Sequence, residues 1–332
     1  MTAFKIYGVF MKKTQRSENP YINSDSNKRY FTYDYYLRKT FGRKLAKIPL
    51  DMGLTCPNID GRCGVGGCIY CSSRGSGDFA ENPSLPLGEQ YESLRKKLSS
   101  KWDTDHCIAY FQAHTNTYAP IDLLKKNFEE VLSFDGVDAI NIATRADCIE
   151  EDICLYLAEL SSCTHLTVEL GLQSSCDATA ALINRGHSFD EFCKGYRRLR
   201  ELAPKVDICV HIILGLPGED KEMMMQTVRD VANLEPEQVK IHLLHVLKNT
   251  KMAELYLSGE YIPLTKEEYV SLTVDALELL PPETVIARIT GDGLSDDLLA
   301  PDWSRKKVSV INDIDKLMYE RQTWQGRKFV KA

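Results

Sequence analysis

Residues 56–71 read Cys56-Pro-Asn-Ile-Asp-Gly-Arg-Cys63-Gly-Val-Gly-Gly-Cys68-Ile-Tyr-Cys71, with four cysteines in 16 residues. Cys68 and Cys71 form a Cys-x-x-Cys turn, and the glycines before it let the backbone fold closely around an inorganic group. Several thiolates that converge on one point are the ligands of an iron–sulfur cluster. If three cysteines bind a four-iron cluster, one iron lacks a protein ligand and can bind a small molecule, as the open position of a catalytic zinc does. The segment therefore predicts an enzyme.

The cysteine segment alone leaves two other interpretations open. Four cysteines can bind a structural zinc, and a Cys-x-x-Cys turn in a cytosolic protein can be a redox pair. The other seven cysteines lie mostly in apolar, periodic contexts. They are predicted to pack in the core, where free cysteine behaves as a small hydrophobic residue.

Length and composition favour a globular protein of the cytoplasm. The 332 residues are enough for one large α/β barrel or two ordinary domains. No apolar run suits a signal peptide or approaches the ~20 residues of a membrane span. The cysteine count of 11 is odd and lacks the spacing of a disulfide framework. We therefore expect a cytoplasmic protein without a membrane partner.

The net charge of -6 is unevenly distributed along the chain. Residues 1–50 contain 11 lysines and arginines against 3 acidic residues, and residues 303–332 contain 8 against 3. Both basic ends are also aromatic, with Tyr30, Phe31 and Tyr36 at one end and Trp303, Tyr319 and Trp324 at the other. Such a mixture favours single-stranded nucleic acid, through phosphate contacts and base stacking. The alternative is that the rings are core residues and the charges form a solvated face.

Strand-like and helix-like patterns alternate after an N-terminal arm at residues 1–29. Apolar or β-branched runs predict six strands, and amphipathic segments predict the helices. The strands are expected at 47–51, 107–112, 137–143, 166–172, 206–214 and 239–246, and the helices at 30–41, 87–101, 121–133, 149–161, 188–202 and 219–234.

Six β-then-α units in a row indicate parallel strands joined by helical crossovers. A closed barrel of eight strands needs two more, and beyond residue 246 only 283–289 has a suitable pattern. We therefore predict an α/β fold, a partial (β/α)6 TIM-like barrel at 30–246. A C-terminal α/β extension at 247–332 is expected to contain helices at 265–280 and 306–322.

Polar residues gather at the carboxyl ends of these strands, where barrels carry their functional residues. Strand two runs into Gln112 and Thr115, strand three into Arg145, strand four contains Glu169 and ends at Gln173, strand five carries His211, and strand six holds His242 and His245. The first strand delivers the cysteine segment to the same face. Together these positions predict one functional site.

At this point the chain resembles the radical S-adenosylmethionine (radical SAM) superfamily, from about residue 30 to the end. It is most similar to the YhcC-like subfamily, relatives of the elongator catalytic subunit that lack its acetyltransferase domain. The resemblance rests on Cys56-x11-Cys68-x2-Cys71, Phe-Gln112-Ala-His-Thr-Asn-Thr-Tyr118-Ala, Ile-Ala-Thr144-Arg145-Ala-Asp147, Glu169-Leu-Gly-Leu-Gln173-Ser, Asn184-Arg185-Gly-His187 and His211-Ile-Ile-Leu-Gly-Leu-Pro-Gly-Glu219.

The resemblance implies that Cys56, Cys68 and Cys71 bind a 4Fe-4S cluster, with Cys63 as a bystander. It implies that S-adenosylmethionine is chelated by the open iron and contacted by Tyr70, Gln112, Thr115, Arg145, Glu169, Gln173, Arg185 and His211. The segment at Gln112 departs from the family pattern, because it lacks the usual Gly-Gly-Glu. Glu169 has a structural alternative as a buried partner of Arg145, and His211 has one as a core histidine.

The resemblance also implies a reaction. An electron donor such as flavodoxin or ferredoxin reduces the cluster, and S-adenosylmethionine is cleaved to a 5'-deoxyadenosyl radical. Together with the basic aromatic ends, the resemblance to elongator-type enzymes implies tRNA as the substrate, at the 5-substituent of a wobble uridine, with conversion of carboxymethylaminomethyl to aminomethyl. Two alternatives remain open, namely a radical SAM enzyme that acts on a small metabolite and a non-catalytic, zinc-stabilised nucleic-acid-binding protein.

Overall fold

The structure is a computed structural model that describes residues 19–75, 77, 79–291 and 296–331. Most of the predicted N-terminal arm, residues 1–18, thus lies outside the described residues. A seven-stranded parallel sheet has its strands in the order β1, β2, β3, β4, β5, β6, β8, and β7 pairs with β9 in a short antiparallel ribbon. The strands are β1 (Ala46–Leu50), β2 (Cys107–Phe111), β3 (Val137–Thr144), β4 (His165–Gln173), β5 (Asp207–Leu214), β6 (Gln238–Leu243), β7 (Val246–Leu247), β8 (Val285–Arg288) and β9 (Leu298–Ala300).

Helices connect successive strands of the sheet. They are α1 (Tyr33–Phe41), α2 (Leu87–Leu98), α3 (Ile121–Glu130), α4 (Glu151–Leu160), α5 (Asp177–Leu182), α6 (Phe189–Leu202), α7 (Lys221–Leu234), α8 (Lys251–Leu257), α9 (Lys266–Leu279) and α10 (Lys307–Glu320). Side chains fix several of the starts: Ser188 and Glu191 form a capping box at α6, and Thr265 and Glu268 form one at α9. The predicted helices are confirmed, and the short helices α5 and α8 were not predicted.

The sheet curls into a partial barrel whose two faces differ in polarity. Along each strand, alternate side chains point to opposite faces. Residues such as Ile48, Ile142 and Val168 are fully buried in the main apolar core with residues of the surrounding helices. The intervening positions, such as Lys47, Asn141 and Glu169, therefore point to the inside of the barrel. The interior is polar, and the predicted α/β partial barrel is confirmed.

The extension supplies the last strand of the barrel. The six predicted strands are present, and the segment expected at 283–289 forms β8, which pairs with β6. Core and extension therefore share one sheet, while the boundary at residue 246 stays a prediction. Strand six was predicted to reach residue 246, but β6 ends at Leu243, so His245 lies in the connection to β7.

The described parts of the two basic ends lie side by side. Arg29 Nη1 donates to the Thr323 carbonyl oxygen over 3.3 Å, and the Phe31 amide donates to Gln325 Oε1 over 2.9 Å. Tyr30 and Phe31 are buried, which confirms for these two rings the alternative that they are core residues. No helix in the described part of the chain is long and apolar enough to cross a membrane.

Candidate active site

A cavity of about 550 Å³ lies at the carboxyl ends of the parallel strands. All eleven residues predicted for the site line it: Cys56, Cys68, Tyr70, Cys71, Gln112, Thr115, Arg145, Glu169, Gln173, Arg185 and His211. Four strands, β2 to β5, supply six of these side chains at or near their carboxyl ends, which meet at one edge of the sheet. The cysteine loop supplies four more, and Arg185 comes from the segment before α6. The roles of the individual residues stay predictions, and their proximity is an observation.

The cysteine loop is fastened to the segment before α6. Asn184 Nδ2 donates to the carbonyl oxygens of Val65 and Gly67, and the Ile69 amide donates to the Ile183 carbonyl oxygen over 3.1 Å. Gly67 has φ of +74°, a conformation that side-chain-bearing residues rarely adopt. The Asn-Arg-Gly segment thus positions the loop that carries Cys68 and Cys71.

Two of the three predicted ligand sulfurs accept hydrogen bonds from the barrel and the loop. Thr115 Oγ1 donates to Cys56 Sγ over 3.1 Å, and Asn58 Nδ2 donates to Cys68 Sγ over 3.4 Å. A hydrogen bond with Cys71, helped by the nearby Arg185 guanidinium, holds the pKa of the Cys68 thiol well below its usual value. Burial raises the pKa of the Cys56 thiol, and the hydrogen bond with Cys68 raises that of Cys71. Sulfur is the ligand type of an iron–sulfur cluster, which binds all three cysteines as thiolates. The donor set therefore fits such a group.

Cys63 has different surroundings. Its Sγ accepts from Arg145 Nη2 over 3.6 Å and lies against Gly186, where an added Cβ would come within 2.9 Å of the sulfur. The thiol thus contacts the segment that holds the loop. Its predicted role as a bystander stays a prediction.

Arg185 and Gln173 share a narrow space above β4. Arg185 Nη2 donates to the Gly171 carbonyl oxygen, and Arg185 Nη1 lies 3.9 Å from Cys68 Sγ. A Cβ at position 171 would come within 2.7 Å of Gln173 Nε2 and 3.0 Å of Arg185 Nη2, so a larger residue there would displace the ends of both side chains. Arg185 Nε is buried without a hydrogen-bond partner among the described residues, which leaves a donor for a bound group.

A cluster of polar side chains forms the bottom of the cavity. Glu169 Oε1 accepts from Asn141 Nδ2 over 2.9 Å and from Lys47 Nζ over 3.3 Å. Glu169 Oε2 accepts from Tyr110 Oη over 2.8 Å, lies 2.9 Å from His211 Nε2, and also accepts from the Lys240 ammonium. We call Lys47, Tyr110, Asn141, Glu169, His211 and Lys240 the floor cluster; each comes from a different strand, β1 to β6.

Charges in the floor cluster set the protonation of its members. Burial alone would raise the pKa of the Glu169 carboxyl, but Lys240 and Lys47 hold it well below its usual value. Burial, together with the Lys240 ammonium, lowers the pKa of His211 to about 4. Glu169 is therefore a carboxylate near pH 7, and His211 is a neutral imidazole.

Comparison with known proteins gives this geometry a family. The model described as "Radical SAM superfamily" matches residues 59–231, and the "Radical_SAM C-terminal domain" matches residues 236–320. The chain belongs to the radical SAM superfamily. Members of this superfamily use a 4Fe-4S cluster and S-adenosylmethionine, so the chain is a radical SAM enzyme, and the alternative of a non-catalytic zinc protein is wrong.

The relatives of this radical SAM enzyme extend over most of its length. Uncharacterized protein YtqA of Bacillus subtilis is 46% identical over 311 residues, which cover 94% of this chain and 96% of the relative. Protein YhcC of Escherichia coli is 30% identical over 86% of this chain and 90% of its own. A tRNA uridine(34) acetyltransferase of Methanocaldococcus jannaschii is 29% identical over 77% of this chain but only 53% of its own length.

A solved structure supports the fold of the radical SAM enzyme. The archaeal Methanocaldococcus infernus Elp3 superimposes with a TM-score of 0.61 and 19% identity, covering 85% of this chain and 64% of that one. At this identity the likeness concerns the fold alone. It agrees with the curled, parallel half-barrel described above.

The structure rules out the structural alternative that was left open for Glu169. Glu169 was considered a buried partner of Arg145, but the Arg145 guanidinium donates to both carboxylate oxygens of Asp147, over 2.9 and 2.8 Å. Arg145 Nη1 also donates to the Arg185 carbonyl oxygen over 2.7 Å. Arg145 therefore holds the segment around Arg185, whereas Glu169 is neutralised by lysines of β1 and β6.

Sequence reasoning missed four members of the floor cluster: Lys47, Tyr110, Asn141 and Lys240. Lys47, Tyr110 and Asn141 are single polar positions in apolar runs, which give no spacing signal, whereas Lys240 belongs to the alternating run Gln238-Val-Lys240-Ile-His242. Lys240 is only 4% exposed and Glu169 is fully buried. Because buried charges are rare unless they are paired, the signal available in the sequence was the charge at an inward position of each strand.

Proposed function

We propose that this radical SAM enzyme modifies tRNA at the 5-substituent of a wobble uridine, and that it converts carboxymethylaminomethyl to aminomethyl. Relatives named tRNA uridine(34) acetyltransferase and Elongator complex protein 3 support a tRNA substrate. The latter, from Drosophila melanogaster, is 24% identical over 71% of this chain and 49% of its own. The matched part is about half of each of these relatives, so their whole activity is not carried over.

We further propose the residues that bind the cofactors. Cys56, Cys68 and Cys71 bind the 4Fe-4S cluster, whose open iron chelates S-adenosylmethionine. Contacts to S-adenosylmethionine are assigned to Tyr70, Gln112, Thr115, Gln173 and Arg185. The other three residues expected to contact it are not assigned a contact, because Arg145 pairs with Asp147, and Glu169 and His211 belong to the floor cluster. The observation that carries this assignment is the convergence of three thiols on a cavity in which the Arg185 guanidinium keeps an unpartnered buried donor.

When bound, the cluster and S-adenosylmethionine would supply a 5'-deoxyadenosyl radical, and a donor such as flavodoxin or ferredoxin would supply the first electron. A two-electron oxidation would then turn the substrate into an imine: the carbon beside the carboxylate would give a hydrogen atom to the 5'-deoxyadenosyl group, a second electron would return to the cofactors, and the amine N–H would leave as a proton. Water then adds to the resulting imine, the C–N bond breaks, and the amine and glyoxylate leave. The walls of the cavity keep other hydrogen donors away from the radical.

The joined basic ends are the proposed tRNA surface. Lys39, Lys306 and Arg327 are exposed, and the Arg327 guanidinium lies 4.9 Å from the Trp324 ring centre. Tyr319 is 53% exposed and Trp324 is half-buried, so both rings are accessible for base stacking, whereas Tyr30 and Phe31 are buried. Phosphate contacts here make the affinity for tRNA fall steeply as salt rises.

Mass spectrometry of tRNA nucleosides tests the proposal. Cells that lack the gene should accumulate carboxymethylaminomethyluridine and lose aminomethyluridine and its products. A plasmid with the wild-type gene should restore the aminomethyl product, whereas the Cys68→Ala variant should not. Identical nucleosides in all these strains would contradict the proposed substrate.

A further inference from the structure

The floor cluster lies deeper in the barrel than the residues proposed for S-adenosylmethionine. Along β4, Glu169 lies two residues before Gly171 and four residues before Gln173. At ~3.3 Å per residue these are separations of about 7 and 13 Å. The carbonyl oxygen of Gly171 accepts a hydrogen bond from Arg185. The cavity therefore has two levels, the mouth at the cysteine loop and the floor below it.

The floor carries more positive than negative charge. Lys47 and Lys240 both face the single carboxylate of Glu169, so these three residues have a net formal charge of +1. Arg288 of β8 also lines the cavity and is in register with Lys240. Because an unbalanced buried charge is unfavourable, such a site favours an anion in the working complex.

Two donors on one face of β6 are aimed at this space. The Lys240 ammonium has three N–H donors, and the described partners are Glu169 and the Tyr110 hydroxyl, 3.2 Å away. His242, two residues further along the same face, has its Nε2 buried without a hydrogen-bond partner among the residues that the structure describes. Both side chains line the cavity.

We propose that Lys240 and His242 bind the carboxylate of the substrate's 5-substituent at the floor of the cavity, an inference that rests on the proposed function. Lys47 neutralises Glu169 and so leaves the Lys240 charge for the substrate. A carboxylate anchored here holds the adjacent carbon between the floor and the mouth. S-adenosylmethionine also has a carboxylate, but Arg185 beside the cysteine loop is the nearer cation for it.

Binding of two anticodon stem-loops to the cluster-loaded enzyme with saturating S-adenosylmethionine tests this site. One loop carries carboxymethylaminomethyluridine and the other carries aminomethyluridine. The wild type should bind the carboxylated loop about tenfold or more tighter than the aminomethyl loop, because a hydrogen bond to a charged group typically contributes that much affinity. Lys240→Met should abolish this preference, and His242→Phe should reduce it, while the affinity for S-adenosylmethionine stays unchanged.

Two control variants separate the role of the Lys240 charge from a general effect of removing a lysine. Lys240→Arg keeps the charge and should retain part of the preference, and Lys126→Met on exposed α3 should retain all of it. Lys240→Met leaves Lys47 and Glu169 as a neutral pair, so folding should survive. An unchanged preference in Lys240→Met would overturn the proposal, and so would a loss of S-adenosylmethionine binding with the preference intact.

A second arm separates this inference from the tRNA substrate. With S-adenosylmethionine bound, acetate should raise the unfolding temperature of the wild type more than acetamide does, and Lys240→Met should lose the difference. If neither loop binds but this acetate effect is present, the tRNA proposal fails and the carboxylate site stands. Equal effects of acetate and acetamide on the wild type would overturn the site.

Discussion

The mouth and the floor of one cavity are built in opposite ways. The mouth takes its proposed cluster ligands from a single loop, Cys56 to Cys71, which the segment at Asn184 fastens in place. The floor takes one side chain from each of the six strands β1 to β6, from Lys47 of β1 to Lys240 of β6. A contiguous loop can present soft ligands to an inorganic group, whereas a buried charge needs partners from several elements at once. The mouth is thus a local motif, and the floor is a product of the whole barrel.

The largest expected effect separates the loop cysteines from one another. Cys68→Ala removes a proposed ligand and should lose the cluster, its brown colour and its bound iron. Cys63→Ala should keep all three, because that thiol contacts Arg145 and Gly186 instead. Iron analysis after anaerobic reconstitution measures both variants. Equal iron loss in both would make the two thiols equivalent and contradict the assignment of three ligands.

The next effect tests whether the floor depends on charge balance. Glu169→Gln leaves two lysines without their carboxylate and should lower the free energy of unfolding by about 3–5 kcal/mol. Lys240→Met should cost less, because Lys47 and Glu169 remain paired. Urea unfolding of the proteins without cluster gives both values. Equal costs would mean that packing, and not charge, dominates at the floor.

The tRNA surface gives a smaller effect that lies outside both levels of the cavity. Replacing Lys39, Lys306, Lys307 and Arg327 by glutamine should weaken tRNA binding by about tenfold and flatten its salt dependence. Lys328 is kept, because it pairs with buried Glu278. The matched control replaces the exposed Lys96, Lys101, Lys126 and Lys205. A similar loss of tRNA affinity in both variants would indicate only a general charge effect. Intact turnover in the variant of the proposed tRNA surface would favour a small metabolite as the substrate.

A further expected effect concerns the pH dependence of stability. Burial lowers the pKa of Lys240 from 10.5 to about 8. Glu169 and Cys209 oppose this shift, whereas the nearby charges of Lys47 and Arg288 add to it. Between these two pH values the unfolded chain binds more protons at this residue than the folded one does. The wild type should therefore gain stability relative to Lys240→Met as pH rises from 8 to 10.5. Urea unfolding across this range measures the difference in stability between the two proteins. A difference that stays constant from pH 8 to 10.5 would contradict the lowered pKa of Lys240.

The sequence predicted the mouth better than the floor for a physical reason. Cysteine spacing and polar strand ends are local signals, and all eleven predicted residues line the cavity. Lys47 and Lys240 were missed because a lysine in a strand resembles a solvated one until its partner is known. For the same reason the sequence left open a pairing of Glu169 with Arg145, whose partner in the structure is Asp147, two residues away.

The fold followed the same rule. Six strands with strong apolar patterns were predicted within a few residues of their ends, and the seventh was identified only as a candidate segment. The helices α5 and α8 have 6 and 7 residues, too few to show helical periodicity. The contact between the two basic ends depends on tertiary hydrogen bonds such as Arg29 to Thr323, which no local pattern contains.

An anaerobic turnover assay tests the central claim, that mouth and floor act on one substrate. The cluster-loaded enzyme is given a reductant, S-adenosylmethionine and the anticodon stem-loop with carboxymethylaminomethyluridine. We predict 5'-deoxyadenosine, aminomethyluridine and glyoxylate in equal amounts, with none of the three formed by Cys68→Ala. The claim would be contradicted if the carboxylated loop did not stimulate the formation of 5'-deoxyadenosine and no matching amount of aminomethyluridine appeared.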